Sequence, residues 1–442
     1  MRKYYQLIPE RIQENIQVIE TTIQPRISGY QRDNLYELIS IVAFQIRKNG
    51  EAAPLMYNYL RKLVPQGEKY LKALIELDII KRSGNAIPGK TSYQYRFSDQ
   101  YDSRYVSIEL TNQKLIRRIE LARNELQKVS AKTTRGRSDQ IKYLKKLKID
   151  GSYINILNHN YIKDTNKYNS ILASATKIQN GDIFYTVDDT AGRFHSNITN
   201  MSKDLRPYLR INGQKLVNID VKNCQPYLSV ILLTDPGKVS CLTDNREFCY
   251  LLTSMKVTIT QDVKNYISLV ASGQIYEYLM EKFSSAGLEL SRSETKKQVL
   301  RILFARNRTP KNETNRFTRQ IFIKNFPTVH KIFSQIRGKE KGEKFSNFKR
   351  FAILLQRIEA KLMLDVVVKR IYKELPGVIA LTIHDSIMTG FLTNDVKAVR
   401  EIIEEVLTEF VGLRPVIKVE REKEEERERE VQYVYTDYVS IK

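Results

Sequence analysis

Leu216-Val217-Asn218-Ile219-Asp220 and, far downstream, Ala380-Leu381-Thr382-Ile383-His384-Asp385-Ser386 are the stretches whose reading decides the fold of this chain. Each is a short apolar, β-branched run arriving at an aspartate, the pattern of a buried strand that carries a carboxylate at its tip. Either aspartate alone reads most simply as a turn or cap residue. Their meaning comes from each other and from what lies between them.

Between them, Arg292-Ser293-Glu294-Thr295-Lys296 runs into a helix that ends near Phe304. At about 100° per residue, Arg292, Lys296, Leu300 and Phe304 spread over only about 120° of one helix face. Two cations, an aliphatic and an aromatic side chain in that order suit a nucleoside triphosphate lying along the helix. An ordinary amphipathic helix with basic edges has the same pattern, so the helix alone decides nothing. Two aspartates delivered by distant strands match what hard divalent cations take, one or two carboxylates plus substrate phosphates.

Composition narrows the partner. The chain has 442 residues and a formal net charge of +23. That length implies two or three subdomains, and 42% hydrophobic with 10% aromatic residues is enough to fill their cores. The positive excess points to a polyanion, since Lys and Arg on phosphates supply most non-specific nucleic-acid affinity. A membrane surface is the rival partner, but no basic amphipathic anchor and no run of ~18 apolar residues stands out. Cys224, Cys241 and Cys249 lack the paired spacing of a disulfide framework or a zinc site. Met1-Arg2-Lys3-Tyr4-Tyr5 lacks the apolar core of a signal peptide. The expectation is a soluble, cytoplasmic protein of a reducing compartment.

Along the chain, 32–49, 53–64 and 67–80 read as helices. A hairpin through Pro88-Gly89 follows, leading into Ser92-Tyr93-Gln94-Tyr95-Arg96-Phe97. Three helices and a basic hairpin suggest a winged helix-turn-helix at about 30–100, with a small helical bundle as the plainer alternative. Residues 111–130 and 138–149 read as two charged helices, a solvent-facing spacer or an arm along a phosphate backbone, the surplus of Lys and Arg favouring the arm. Strands and turns are expected over 180–235, helices over 236–375, strand at 379–392, helix at 395–411 and strand at 415–420. The mixed-charge run from Glu420 to Glu430 reads as a solvated excursion, and 431–441 alternates like an edge strand.

Two weaker elements complete the set. Thr190-Ala191-Gly192-Arg193 with Asn197 and Asn200 reads as a polar loop able to hold a phosphate or a base edge. Gln356 and Glu359 stand at i, i+3 on a helix, within reach of a groove.

In this order and spacing the pieces resemble the palm and fingers of family A DNA polymerases and the related single-subunit, phage-type RNA polymerases. The likeness covers about 185–420. Thr190-x-Gly192-Arg193 with the downstream Asn looks like the template–primer motif, and Asp220 with Gln225 like motif A. Arg292-x3-Lys296-x7-Phe304 looks like motif B, and His384-Asp385-Ser386 like motif C.

The resemblance implies an α+β right-hand polymerase with a winged-helix head. Its parts would be an N-terminal module (1–105), a thumb-like hairpin (106–180), first palm (181–235), fingers (236–375), and palm return with tail (376–442). It implies a primer-extending nucleotidyltransferase using two Mg²⁺ ions, with Mn²⁺ as an alternative, on a nucleic-acid template–primer and nucleoside triphosphates, with no membrane partner. Asp220, Val221 and Asp385 would form the metal set. Arg292, Lys296, Phe304 and Gln225 would hold the nucleotide, Lys296 also protonating pyrophosphate. Arg193, Asn197, His384 and Gln356 would contact nucleic acid.

The chain departs from the family pattern in places. Phe304 stands for the usual Tyr, Ala305 for Gly, and Gln225 for the Glu beneath the sugar. The bulk of Gln225 favours deoxynucleotides, whereas His-Asp-Ser is the RNA-polymerase form of motif C. The expectation is a minimal DNA polymerase of a mobile element, without room for a proofreading domain or a large promoter-reading region. An RNA polymerase or primase is the first alternative, a non-catalytic replication-initiation protein the second.

Overall fold

The computed structural model describes residues 3–49, 52–55, 57–84, 92–131, 134, 136–243, 245–338 and 349–420. It is a mixed α+β protein whose contacts divide it into two units. The first comprises Met1–Thr186 with His195–Lys215, the second Val187–Phe194 with Leu216–Lys442.

In the first unit, strand β1 (Tyr4–Pro9) leads through two short helices, Glu10–Glu14 and Ile16–Ile23, to the long helix α1 (Arg32–Asn49). Leu35, Leu38, Ile39 and Val42 are fully buried, the i, i+3, i+4, i+7 stripe of a core-facing helix. Next come β2 (Ala53–Pro54), α2 (Tyr57–Leu63), α3 (Gly67–Glu76), β3 (Ile80–Ser83) and β4 (Gln94–Phe97). The antiparallel pair β3–β4 runs Ile80↔Phe97 to Ser83↔Gln94, and β2 adds a third strand on the other side of β4.

Two expected helices are therefore shorter. Pro54 disfavours a helical residue before it, so 53–54 pair as strand and the helix waits until Tyr57. The helix from 67 stops at Glu76; Asp78 turns left-handed at φ 51, and β-branched Ile80 opens β3.

Strand β5 (Tyr105–Leu110) returns to pair with β1, Tyr4 opposite Leu110. Helix α4 (Gln113–Ala131) and α5 (Ser138–Leu144) follow. The expected helix over 138–149 is cut short, because Leu147–Ile149 is strand β6, paired through Leu147↔Ile211 with β7 (Leu209–Ile211). A short apolar run can settle as helix or strand, and tertiary pairing decided for strand here. Helix α6 (Thr165–Gln179) lies between them in sequence, capped by the Asp164 carboxylate on the Lys167 amide. The hairpin tip at Pro88-Gly89, most of the 131–137 linker and everything from 421 onward, including the alternating 431–441 stretch, lie outside the described residues.

The second unit is built on β8 (Gln214–Val221), whose stretch from Leu216 on belongs to it. This strand is central. It is antiparallel to β10 (Ser386–Gly390), Leu216↔Gly390 through Asp220↔Ser386, and to β11 (Ile417–Val419), Ile219↔Val419 through Val221↔Ile417. Strand β9 (Leu381–Ile383) flanks β10 through a two-residue hairpin, Ile383 opposite Ser386.

The main helices in this unit are α7 (Cys224–Ser229), α8 (Arg246–Ser254), α9 (Gln261–Ala271), α10 (Ile275–Ser284), α11 (Arg292–Phe304), α12 (Glu313–Asn325) and α13 (Pro327–Arg337). Helix α14 (Arg350–Ala360) runs through a π-helical stretch, Lys361–Val367, into α15 (Val368–Glu374), and α16 (Thr393–Val411) precedes β11.

One hydrophobic cluster joins Ile219 and Val221 of the sheet to Ile302, Leu303, Phe322, Phe333 and Leu355 of the helices. Tyr266 meets Phe322, Phe326 and Phe333 edge-on, at interplanar angles of 78°, 79° and 78°, the geometry the ring quadrupole favours.

Candidate functional site

The two strand tips are brought together. Asp220 lies opposite Ser386, and the backbone N–H of Val221 donates to the Asp385 carbonyl at 3.3 Å. Both aspartates are half-exposed at the same end of the β8–β10 pair. His384, the first residue of the β9–β10 turn, sits at φ 56. A two-residue hairpin with positive φ at its first position normally takes glycine there. A histidine in that conformation is strained, and such strain collects at functional sites.

Asn223 does the same after Asp220. Its left-handed φ of 55 swings the chain from strand tip to α7, whose first turn carries Cys224 and Gln225. Asparagine tolerates this conformation better than most residues.

The site is electronegative. Burial pushes the Cys224 thiol well up, and the charges of Asp385, Glu359 and Asp220 push it further. Glu359 itself is 2% exposed, and its pKa is pushed up to about 7, by burial first and by Asp385 as well, against the pull of Arg193. Three acidic groups that raise their neighbours' pKa values mark a place where a cation is welcome.

Glu359 was expected to reach a groove with Gln356. It turns inward instead, because its carboxylate accepts from the Arg193 guanidinium at 2.9 Å and from the Gln225 amide. Gln356, one turn earlier, is half-buried.

Arg193 is placed by its own loop. The Asp188 carboxylate accepts from the amides of Thr190, Ala191 and Arg193 at 3.0, 2.6 and 3.1 Å, and Gly192 supplies the φ of 71 that closes the turn. This is an Asx-type turn, and the left-handed position is why a glycine stands before the arginine. Asn197 belongs to the first unit, where its amide bonds the Phe184 N–H and the Asp182 carbonyl.

Helix α11 presents its cations outward. Ser291 and Glu294 form a capping box at its start. Thr295, Gln298, Val299, Ile302 and Leu303 are buried, whereas Arg292 and Lys296 are exposed and Leu300 and Phe304 half-buried. The face expected to meet a ligand is thus the one turned away from the core. Phe304 keeps one contact inward, its ring 6.5 Å from that of Phe351.

Arg292 links this helix to the carboxylates. It bonds Glu277 at 2.6 Å and lies 5.6 Å over the Tyr276 ring. The Tyr276 hydroxyl is raised above its ordinary pKa, by burial first and by Asp385 among its neighbours. Burial pulls Glu277 up, but the Arg292 hydrogen bond and the charges of Arg292 and Lys222 hold its carboxyl below the usual range. Lys222 runs along Gly273 (φ 69), where an added Cβ would come within 2.8 Å of its Cδ.

Two buried arginines hold the segment after α11. Arg337, 1% exposed, donates to the carbonyls of Ile302 and Ala305 at 2.7 and 3.2 Å. Arg319 donates to those of Arg306, Asn307 and Arg308. Burial lowers the pKa of Arg337 to about 10 and that of His330 to about 4.

Sequence reasoning missed Glu359 as a buried partner, and Lys222, Tyr276, Glu277, Arg319 and Arg337 altogether. Only Glu359 had left a signal, in its i, i+3 spacing from Gln356.

Among the described residues, no group of three or more His, Cys, Asp or Glu gathers as a metal cage. The donor set is a pair of carboxylates in a negative setting. That suits magnesium, which keeps few protein ligands, and not a structural zinc. Also among the described residues, no helix is long and apolar enough to cross a membrane.

No protein-family model matches this chain, and no curated protein does. A solved structure that aligns with it is the POL domain of Pol1 from M. smegmatis, in complex with DNA primer-template and dNTP. Identity is 11% and the TM-score 0.32, over 94% of this chain. The chain spans 66% of the length of that one.

Proposed function

We propose that the chain is a template-directed nucleotidyltransferase that extends a primer 3′-hydroxyl with nucleoside triphosphates, acting as a minimal DNA polymerase. The observation that carries this reading is the strand register that sets Asp220 beside the Asp385 turn, with Arg292 linked to the same neighbourhood through Tyr276. The order of the four sequence motifs supports it.

Asp220 and Asp385, with Val221 beside them, would hold divalent magnesium or manganese, which when bound lowers the pKa of a primer hydroxyl and offsets triphosphate charge. Lys296 and Arg292 would take the phosphates from the outer face of α11, Lys296 donating a proton to pyrophosphate as it leaves. Phe304 would lie against the sugar and base. Gln225, held by Glu359, would wall the sugar pocket. His384 would place the primer end beside Asp385, and Arg193 and Gln356 would face the template–primer. The three helices and basic hairpin of the first unit would add duplex binding.

Primer extension tests the proposal. Wild type should extend a labelled primer in Mg²⁺, and Asp220→Asn or Asp385→Asn should lose at least about a thousand-fold in rate, roughly 4 kcal/mol. Circular dichroism should be unchanged, since both side chains sit half-exposed at strand tips. Extension by either variant at near wild-type rate would end the assignment. Parallel reactions with NTPs decide between DNA and RNA synthesis; the His384-Asp385-Ser386 turn is the feature that favours RNA.

A further inference from the structure

Strand β8 ends at Val221, and the next residue, Lys222, is a cation two positions past Asp220. Its backbone is fixed at this end of the sheet, the N–H donating to the Val416 carbonyl at 2.8 Å. Its half-buried side chain crosses the turn between α9 and α10, over Gly273. An ideal Cβ on Gly273 would stand 2.8 Å from the Lys222 Cδ and 3.3 Å from its Nζ. The missing side chain of Gly273 is therefore the track in which the lysine lies.

The track leads to the first turn of α10. There Glu277 accepts from Arg292 at 2.6 Å, and the Arg292 guanidinium lies 5.6 Å over the Tyr276 ring. Burial raises the Glu277 pKa, but the Arg292 bond and the charges of Arg292 and Lys222 outweigh it. Lys222 acts on this carboxylate through its field and not through a bond. The second oxygen of Glu277 is buried and has no hydrogen-bond partner among the described residues. Among the described residues the Lys222 ammonium also meets no carboxylate within ion-pair distance. Two cations around one carboxylate leave this turn with a positive excess.

We propose that Lys222 is a third phosphate-binding cation, taking the terminal phosphates of a nucleoside triphosphate together with Arg292. The inference rests on the nucleotidyltransferase reading, which gave that role to Arg292 and Lys296 alone. An ammonium is a compact point charge with three donors, suited to phosphate oxygens that turn about their bridging bonds. The lysine stem already lies against Gly273, so little rotamer freedom is left to lose on binding. Lys222 also follows directly on the strand of Asp220, and so spans from the carboxylate end of β8 to the turn that holds Arg292. Free inorganic pyrophosphate carries the same chemistry and is the other source to be told apart.

The test uses the full chain and titration calorimetry in Mg²⁺ with three probes: dTTP, inorganic pyrophosphate and a hairpin primer–template. Lys222→Ala should weaken dTTP binding about ten-fold, the size of one lost hydrogen bond to a charged group, and leave hairpin binding unchanged. Lys222→Arg should recover most of the dTTP affinity, because it restores the charge. Gly273→Ala, which puts a methyl into the lysine's track, should give the same selective loss and decides the matter if Lys222→Ala does not fold. Lys264→Ala, on the exposed face of α9, should bind all three probes as wild type does. Wild-type dTTP affinity in Lys222→Ala overturns the proposal. So does an equal loss for the hairpin or in Lys264→Ala, or a loss confined to pyrophosphate. If wild type itself binds no dTTP, the nucleotidyltransferase reading falls and this one with it, a result distinct from failure of Lys222 alone.

Discussion

The Arg193 guanidinium and the Glu359 carboxylate, 166 residues apart in sequence, meet at 2.9 Å with Glu359 only 2% exposed. A buried charge pair is costly to desolvate and costly to break. Here the same carboxylate also holds Gln225, so one buried group orients both a loop arginine and a side chain in the first turn of α7.

Glu359→Ala should destabilise the protein by about 3–5 kcal/mol in urea titration, because it leaves the Arg193 charge with no buried partner. A change below about 1 kcal/mol would mean that water already solvates the pair.

The pH dependence has a definite sign. Burial raises the folded-state pKa of Glu359 to about 7 from an ordinary value of 4.5. Between those values the folded protein binds a proton that the unfolded chain has released. Its contribution to stability is full below the unfolded pKa and is lost as pH rises through about 7. The stability of wild type relative to Glu359→Gln should therefore fall between pH 4.5 and 7. A flat or rising difference contradicts the assignment.

Gln225 should govern sugar choice. Gln225→Ala should raise kcat/KM for NTPs relative to dNTPs by about ten-fold or more, since one or two contacts of about 1–3 kcal/mol decide such ratios. Glu359→Ala, which removes the acceptor of the Gln225 amide, should move the ratio in the same direction. If only overall rate falls and the ratio holds, Gln225 has no part in sugar selection.

Lys296→Ala should raise KM for the nucleotide at least about ten-fold and leave thermal stability unchanged, as the side chain is exposed. Arg292→Ala should behave likewise, with at most about 1 kcal/mol lost from its partly exposed pair with Glu277. Steady-state kinetics and a urea titration on the same preparations check both.

Arg337→Met should destabilise by about 2–3 kcal/mol, because the carbonyls of Ile302 and Ala305 lose their buried donor. The favourable cation at the C-terminal end of α11 goes with it. A melting temperature within a degree of wild type would show that another group caps this helix.

The strand tips and the cationic helix were legible in the sequence because each is a local matter. Period, capping residues and turn chemistry act over a few neighbours, and β-branched runs ending in aspartate fall at 216–220 and 380–385 whatever surrounds them. Local signals failed where two outcomes had similar propensity. Residues 147–149 became strand, not the end of a helix, because Ile211 offered Leu147 a partner. The inward turn of Glu359 had no local marker, since a glutamate on a helix looks exposed until an arginine from elsewhere meets it.

By itself, then, the amino-acid order determined the two strands that end on aspartates, which face of α11 is charged, and that the chain is strongly cationic. Only the tertiary structure decided that Asp220 neighbours Asp385, that Glu359 joins Arg193 to Gln225, and that Arg337 and Arg319 hold the end of α11 and the segment after it. These pairings depend on long-range strand register and on burial. A carboxylate or a guanidinium finds its partner only after the core has closed around it, and no short window of sequence contains both members of the pair.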